Sequence, residues 1–139
     1  MEMNIHDFVP SLEFLYDAVA DSIMGYLYLA DIRSDRICIS EKARQDFGFS
    51  ERVIENARET WLARIHPRDR GRIDESISQL YCGHKQTFDD EFQMRATSGR
   101  YFWVRARGRI YQPPGAVRPT HVIGILENLE QDGEVDRVT

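Results

Sequence analysis

The stretch 89-DDEFQMRATSGRYFWVRARGRIY-111 decides the fold of this chain. Apolar and polar residues alternate along two runs, which is the pattern of two β-strands that each bury one face. Phe92 and Met94 mark the buried face of the first run, and Phe102 that of the second. Between the runs, Ser98-Gly99 predicts a tight turn in which Gly99 is free to take a positive φ. Because a two-stranded ribbon is not stable alone, other parts of the chain must cover its apolar face.

The composition indicates a single globular domain. The chain has 139 residues, of which 42% are hydrophobic and 11% aromatic, and this argues against disorder. The net charge of -5 is spread along the chain, so no nucleic acid or membrane partner is expected. The N-terminus lacks the features of a signal peptide, and no apolar run could cross a bilayer, which predicts a cytoplasmic protein. The two cysteines, Cys38 and Cys82, are expected to be buried free thiols.

The spacing of apolar residues and helix-end signals predicts an α+β fold. We expect a five-stranded antiparallel sheet with short helices on one face, preceded by an N-terminal amphipathic helix. Residues 1–24 would form that helix, residues 25–130 the main domain, and residues 131–139 a polar tail. The predicted elements are Ser11–Ile23, Gly25–Ile32, Arg36–Ser40, Glu41–Phe47, Glu59–Ile65, Pro67–Cys82, the hairpin, and a last strand of about Thr120–Leu129.

This order of elements, with several local motifs, resembles a PAS domain that carries a PAC motif. The resemblance covers about Gly25–Leu129, and the order and spacing of the motifs carry it. The matching residues are Trp61, Ile65-His66-Pro67-Arg68-Asp69, Glu91-Phe92-Gln93-Met94-Arg95, Ser98-Gly99-Arg100-Tyr101-Phe102-Trp103-Val104, Arg107-Gly108-Arg109 and Ile123-Gly124-Ile125.

The resemblance implies a sensory and interaction module of a bacterial signalling protein. Such modules precede histidine kinases, diguanylate cyclases, phosphodiesterases or transcription regulators. The expected partners are a second copy of the chain, in a homodimer, and an effector domain that follows Thr139 in a longer protein. Asn128-Leu129-Glu130 stands where the family often has Asp-Ile-Thr. That departure concerns the coupling contact to the next domain and leaves the expected fold unchanged.

We expect neither haem nor flavin. Family members that bind haem take an axial histidine from the long helix, but Pro67–Cys82 contains none, and His66 and His84 only flank it. Members that bind flavin carry an Asn-Cys-Arg-type motif, which Glu55–Ile65 lacks. No metal site is expected either: His84 has three acids after it, but these alternate between the two strand faces. The identity of any small-molecule ligand stays open.

The inner face of the sheet allows two interpretations. Its apolar residues could line a pocket for a small apolar or aromatic ligand, or they could form a filled core. Because large side chains dominate and few polar groups converge, the filled core is favoured. The pocket candidates are Tyr28, Ala30, Leu62, Ile73, Ile77, Phe92, Met94, Phe102, Val104 and Leu126.

The outer face of the sheet would be apolar enough to need a cover, and the N-terminal helix can supply it. We expect the helices of two chains to pair with each other and with this face. The predicted interface residues are Leu12, Leu15, Val19, Tyr101, Trp103, Ile123 and Ile125. The basic run Arg100–Arg109 alternates with apolar residues and is typical of a solvated sheet face.

Two other functions remain open. His66 and Asp69 could orient a base in a small cone-shaped α+β enzyme, although their place at a helix start makes a cap the simpler interpretation. We therefore assign no catalytic residue, and no nucleophile, phosphate-loop or zinc motif occurs. The remaining alternative is a structural dimerisation domain without a ligand.

Overall fold

A computed structural model describes Asn4, Asp7, Phe8 and residues 11–130. The predicted tail, residues 131–139, and most of the first ten residues lie outside the described residues. The sheet has the strand order β3-β2-β1-β6-β5-β4, and all of its pairs are antiparallel. The elements are α1 (Leu12–Ser22), β1 (Tyr26–Asp31), β2 (Arg36–Ile39), α2 (Glu41–Phe47), β3 (Val53–Ile54), α3 (Ala57–Arg64), α4 (Pro67–Tyr81), β4 (Thr87–Arg95), β5 (Tyr101–Tyr111) and β6 (His121–Asn128).

The predicted α+β architecture is confirmed, with one strand more than expected. The additional strand, β3, has two residues and pairs with β2 through Ile37–Ile54 and Cys38–Val53. Two residues are too few to show an alternating pattern, so the strand has no signature in the sequence.

The β4–β5 hairpin follows the predicted alternation, but its turn is longer than expected. Nine residue pairs join the strands from Thr87–Arg109 to Arg95–Tyr101. Gly99 has a φ of 91°, as predicted. The turn nevertheless has three residues rather than two, because the Ala96 amide donates to the Arg100 carbonyl at 2.7 Å and the Gly99 amide to the Ala96 carbonyl at 2.9 Å. This is a turn in which the last loop residue alone needs the left-handed conformation.

Side-chain caps define the starts of three helices. The hydroxyls of Ser11 and Ser40 accept the backbone N–H groups of Phe14 and Ala43. At α4, the His66 ring accepts from the Arg68 amide at 3.1 Å, and Pro67 occupies the first helical position.

Helix α3 begins at Ala57, two residues before the predicted start. Asp35 anchors that end: its carbonyl accepts the Ala57 amide at 2.9 Å, and its carboxylate accepts the Arg58 amide at 3.1 Å. This contact joins residues far apart in the chain, which local sequence signals do not report.

Both cysteines are free thiols, but the expectation that they are buried is wrong. Cys82 is exposed at the end of α4, and Cys38 is half-buried on β2. Cys82 caps the helix, where the chain leaves the core. Within the described residues, no helix is long and apolar enough to span a bilayer.

The inner face of the sheet is packed closely at the hairpin end. Phe47 of α2 stacks on Phe102 with ring centroids 6.0 Å apart, and Trp61 of α3 meets Phe47 edge-on at 6.2 Å. Ile65 and Met94 are fully buried beside them. We call this end of the inner face the filled half; its residues are Phe47, Ile65, Met94, Ala96, Phe102 and Val104.

Candidate functional site

The other end of the inner face encloses a cavity of about 70 Å³ between the sheet and helices α3 and α4. We call this end the hollow half. Six of the predicted pocket residues line the cavity: Tyr28, Ala30, Ile73, Ile77, Phe92 and Leu126. The inner face is therefore a core over one half and a pocket over the other.

The structure places the other four predicted pocket residues away from the cavity. Met94, Phe102 and Val104 are fully buried in the filled half, and Leu62 packs against the core from α3. Alternation assigns a residue to a face of a strand, but it does not tell where along the strand a cavity opens.

Small side chains create the space. Ala30, Ala57 and Ala106 are buried and line the cavity. At the hairpin end, larger side chains such as Phe47 and Phe102 fill the inner face. Of these alanines, sequence reasoning identified Ala30 but not Ala57 or Ala106, although an alanine among large inward-facing residues is a usable signal for a void.

Tyr28 forms part of the wall by lying across two glycines. Tyr28, Gly124 and Gly108 stand in register on β1, β6 and β5. A Cβ added at Gly124 would lie 2.6 Å from the Tyr28 ring and 2.1 Å from the Arg107 carbonyl oxygen, so no side chain fits there. The Tyr28 hydroxyl donates to that carbonyl over a long 3.3 Å. Burial raises the pKa of the Tyr28 phenol, which keeps it neutral and able to donate a hydrogen bond.

Arg58 and Tyr81, which sequence reasoning missed, stand at the edge of the cavity. The Arg58 guanidinium bonds to the Asp74 carboxylate at 2.6 and 2.9 Å and to the Ser78 hydroxyl at 2.6 Å. It lies over the Tyr81 ring, 5.7 Å from the centroid. Both residues also border a surface groove formed with Ile32 and the loop before β6. This pair therefore lies between the cavity and the groove.

The environment of Tyr81 is similar to that of Tyr28. Burial raises the pKa of the Tyr81 phenol, and the nearby Asp35 carboxylate raises it further, whereas Arg58 lowers it. The net shift of the Tyr81 pKa is upward, and Tyr81, like Tyr28, is a neutral phenol at physiological pH.

Helix α1 packs on the outer face of the sheet through one side only. The Tyr16 hydroxyl donates to the Leu27 carbonyl at 2.9 Å, and Asp17 pairs with Arg52 at 2.9 Å. Ala20 is buried in the same contact. The neighbouring side of the helix, with the predicted interface residues, is open: Leu12 is 72% exposed, and Leu15 and Val19 are each 41% exposed.

The outer face over β5 and β6 is partly open as well. Trp103 is 44% exposed and Ile123 51%. The other two predicted interface residues of the sheet, Tyr101 and Ile125, are half-buried. Tyr101 packs against the His66 ring, with centroids 4.6 Å apart.

The groups considered for catalysis take part in structural contacts. His66 caps α4, and the buried Asp69 carboxylate accepts the Gln93 amide at 2.9 Å and pairs with Arg72 at 3.3 Å. These bonds tie the start of α4 to β4. Among the described residues, no group of three or more His, Cys, Asp or Glu side chains could hold a metal ion.

A family model described as PAS fold matches residues 36–126 of the chain. No curated protein sequence matches. Many solved structures resemble the fold at low sequence identity. A sensory box histidine kinase/response regulator from Burkholderia thailandensis has a TM-score of 0.63 at 20% identity, covering 91% of this chain and 90% of that one.

Two further structures give the same result. The N-terminal domain of a diguanylate cyclase with PAS/PAC sensor from Marinobacter aquaeolei has a TM-score of 0.62 at 16% identity, covering 76% of this chain and 94% of that one. A domain of a putative light and redox sensing histidine kinase from Haloarcula marismortui has a TM-score of 0.64 at 18% identity, covering 81% and 95%. At these identities the similarity shows the fold alone.

Proposed function

The chain belongs to the PAS fold family, and from this we propose that it is a sensory module that dimerises and regulates an attached output domain. The resemblance predicted from the sequence is confirmed, and the chain is similar to PAS domains of histidine kinases and diguanylate cyclases. The output domain would be of the histidine kinase, diguanylate cyclase or phosphodiesterase type, in the cytoplasm of a bacterial cell. Sensory modules of this kind transmit signals and carry no catalytic residues.

The open apolar side of α1 is the observation that carries the proposal. Leu12, Leu15 and Val19 are exposed, while Tyr16 and Asp17 hold the helix on its own sheet. Leaving such a side in water costs roughly 25 cal/mol per Å² of apolar area. A second copy that presents the same side across a two-fold axis removes that cost for both chains. Trp103 and Ile123 extend the same interface over the sheet.

Strand β1 links the cavity to this interface. Its inward-facing Tyr28 lines the cavity. The carbonyl of the preceding residue, Leu27, accepts a hydrogen bond from the Tyr16 hydroxyl of α1. A ligand that moves Tyr28 would therefore shift the anchor of α1. The module would act as a switch if the ligand bound more tightly to the protein with α1 in one position than in the other.

The end of β6 is fixed to the hairpin. The Glu130 carboxylate accepts the Trp103 amide at 3.3 Å and pairs with Arg100 at 3.7 Å. The Asn128 side-chain carbonyl accepts the Glu130 amide at 2.8 Å. These contacts use the residues at which the chain departs from the common family ending. We propose that they replace the usual coupling contact and pass movement of the sheet to the following segment.

Light scattering tests the dimer. The chain should have about twice its 16.2 kDa mass, and the double variant Leu12→Glu/Leu15→Glu should be monomeric at the same concentration. Val117→Glu is the matched control, since Val117 is 92% exposed on a loop away from α1 and should leave the dimer intact. A monomeric wild-type chain at high concentration, or a double variant that dimerises equally well, contradicts the proposal.

A further inference from the structure

We propose that the cavity binds a short, branched aliphatic carboxylate, with the apolar group among the alanines and the carboxylate at Arg58. The inference rests on the proposed sensory function and names the class of ligand for its cavity.

The charged and polar groups around the cavity are almost all hydrogen-bond donors. Arg58 is the single charged residue in the lining, which also includes Tyr28, Tyr81 and Trp61, whose side chains can each donate a hydrogen bond. No carboxylate lines the cavity; Asp35 and Asp74 hold Arg58 and α3 from outside it. A lining that has one cation and three further donor side chains, and no carboxylate, is complementary to an anion that has several acceptor atoms.

These donors are poorly satisfied within the protein. The Tyr81 hydroxyl and the Trp61 indole make no hydrogen bond to any other described residue, and the bond of the Tyr28 hydroxyl is long at 3.3 Å. Both phenols are protonated at physiological pH, and burial raises the pKa of each further, so both can donate to a bound oxygen.

Arg58 retains donor capacity beyond its structural bonds. Its Nε and Nη2 bond to Asp74 and Ser78, while its Nη1 bonds to nothing among residues 11–130. Its side chain is 30% exposed and that of Asp74 50%, so a ligand carboxylate can share the guanidinium without removing a buried partner. A guanidinium has five N–H groups and can serve two carboxylates at once.

The size of the cavity sets the apolar part of the ligand. At about 70 Å³, it has roughly half the volume of a cavity of about 150 Å³ that holds benzene in another protein. A ring is therefore too large, and a branched group of about four carbons fits. The lining combines aromatic rings, among them Phe88 and Phe92, with the aliphatic side chains of Ile73, Ile77 and Val122. A small aliphatic group can pack against both.

Titration of the intact chain by NMR tests this assignment with isovalerate, its neutral isostere isovaleramide, and phenylacetate, all at constant ionic strength. We expect isovalerate to give saturable shifts at Ile77 and Val122, and to bind at least tenfold more tightly than isovaleramide. Phenylacetate should bind at least tenfold more weakly than isovalerate because its ring does not fit. Isovaleramide that binds within twofold of isovalerate, or the absence of saturable isovalerate shifts, would overturn the inference.

Three variants localise the effect. Ala106→Leu should abolish isovalerate binding by filling the cavity, and Arg58→Gln should weaken it at least tenfold. Arg105→Gln is the control for surface guanidinium groups, because Arg105 pairs with Asp89 on the exposed face. It should bind like the wild type. Unchanged affinity in Ala106→Leu or in Arg58→Gln contradicts the assignment; the dispersed amide spectrum of each variant shows whether it is folded before its affinity is compared.

The outcome separates this inference from the sensory proposal. If both isovalerate and isovaleramide bind equally and Ala106→Leu removes both, the carboxylate assignment falls while the cavity remains a ligand site. If light scattering shows a monomer, the dimeric switch falls regardless of what the cavity binds.

Discussion

The two halves of the inner sheet face share the hairpin strands β4 and β5 and the same apolar alternation, yet one is solid and the other is hollow. In the filled half, Phe47 stacks on Phe102 and Trp61 closes the cluster from α3. In the hollow half, Ala30 and Ala106 face the helices and leave about 70 Å³ empty. Packing like that of the filled half is what stabilises small domains. The cavity lowers stability and provides space for a ligand.

The two halves connect different parts of the molecule. The filled half joins the hairpin, α2 and α3, which carry the contacts that define the fold. The hollow half joins β1 to α4, and β1 also carries the contact to α1 through Leu27. A change in the hollow half can therefore reach α1, and with it the proposed dimer surface, without breaking the main core.

Truncation of the central ring of the filled half should have the largest effect. Phe47→Ala removes the stack on Phe102 and the contact with Tyr26, so we expect a loss of about 4 kcal/mol in the free energy of unfolding. Chemical denaturation gives this value. Phe92→Ala, at the wall of the cavity, should cost about 1 kcal/mol less, because Phe92 already has empty space on one side. Equal losses would break the distinction between the halves.

A methyl group at Gly124 should disturb the wall of the hollow half. Gly124→Ala places a Cβ 2.1 Å from the Arg107 carbonyl oxygen, which belongs to rigid strand backbone, and we expect a loss of about 3 kcal/mol. Gly71→Ala is the control, because Gly71 lies in α4 with nothing within 4 Å of an added Cβ. It should raise stability by about 1 kcal/mol. A tolerated Gly124→Ala would show that Tyr28 does not lie across the glycines.

The hairpin turn tests the backbone that supports the filled half. Gly99 has a φ of 91° and open space around it, so Gly99→Val introduces backbone strain without a clash. We expect a loss of about 2 kcal/mol, measured as a lower denaturation midpoint. Gly99→Asn should cost about 1 kcal/mol or less, since Asn tolerates the left-handed region. An unchanged midpoint for the valine variant would contradict the turn geometry.

An added side chain that fills the cavity should give the smallest change in the free energy of unfolding. The same change made in the filled half contrasts the two halves directly. Ala106→Leu should alter stability by less than about 1 kcal/mol, because its added carbons enter the cavity. Ala96→Leu, at a buried position of the filled half, should cost about 2 kcal/mol through overpacking. Thermal denaturation of the pair measures both. Equal costs would mean that the hollow half cannot accept added volume.

The fold could be predicted where the signals are local or periodic. The alternation of the hairpin, the caps at Ser11 and Ser40 and the Pro67 helix start all lie in short segments, and the structure has them as expected. The two-residue strand β3 and the early start of α3 were not predicted, because a partner distant in the chain determines each of them. Local patterns carry no information about such partners.

The sequence predicts on which face of the sheet the candidate-site residues lie, but not where along that face the cavity opens. Tyr28 and Ile77 were expected on the inner face and line the cavity. Arg58 was missed because its side chain reaches the cavity edge only through its bonds to Asp74 and Ser78 on another helix. Its charge also suggests solvent exposure when the sequence is read alone. The void itself results from the meeting of alanines on separate elements, which no single segment reveals.

Methyl and amide NMR spectra of the intact chain in xenon-saturated solution test the central claim most directly, because xenon enters apolar cavities without specific chemistry. We predict saturable shifts for residues that line the hollow half, such as Ala30, Ile77 and Val122, and none for Met94 or Val104 in the filled half. Ala106→Leu should remove those shifts. No saturable shift, or shifts spread equally over both halves, would contradict the claim.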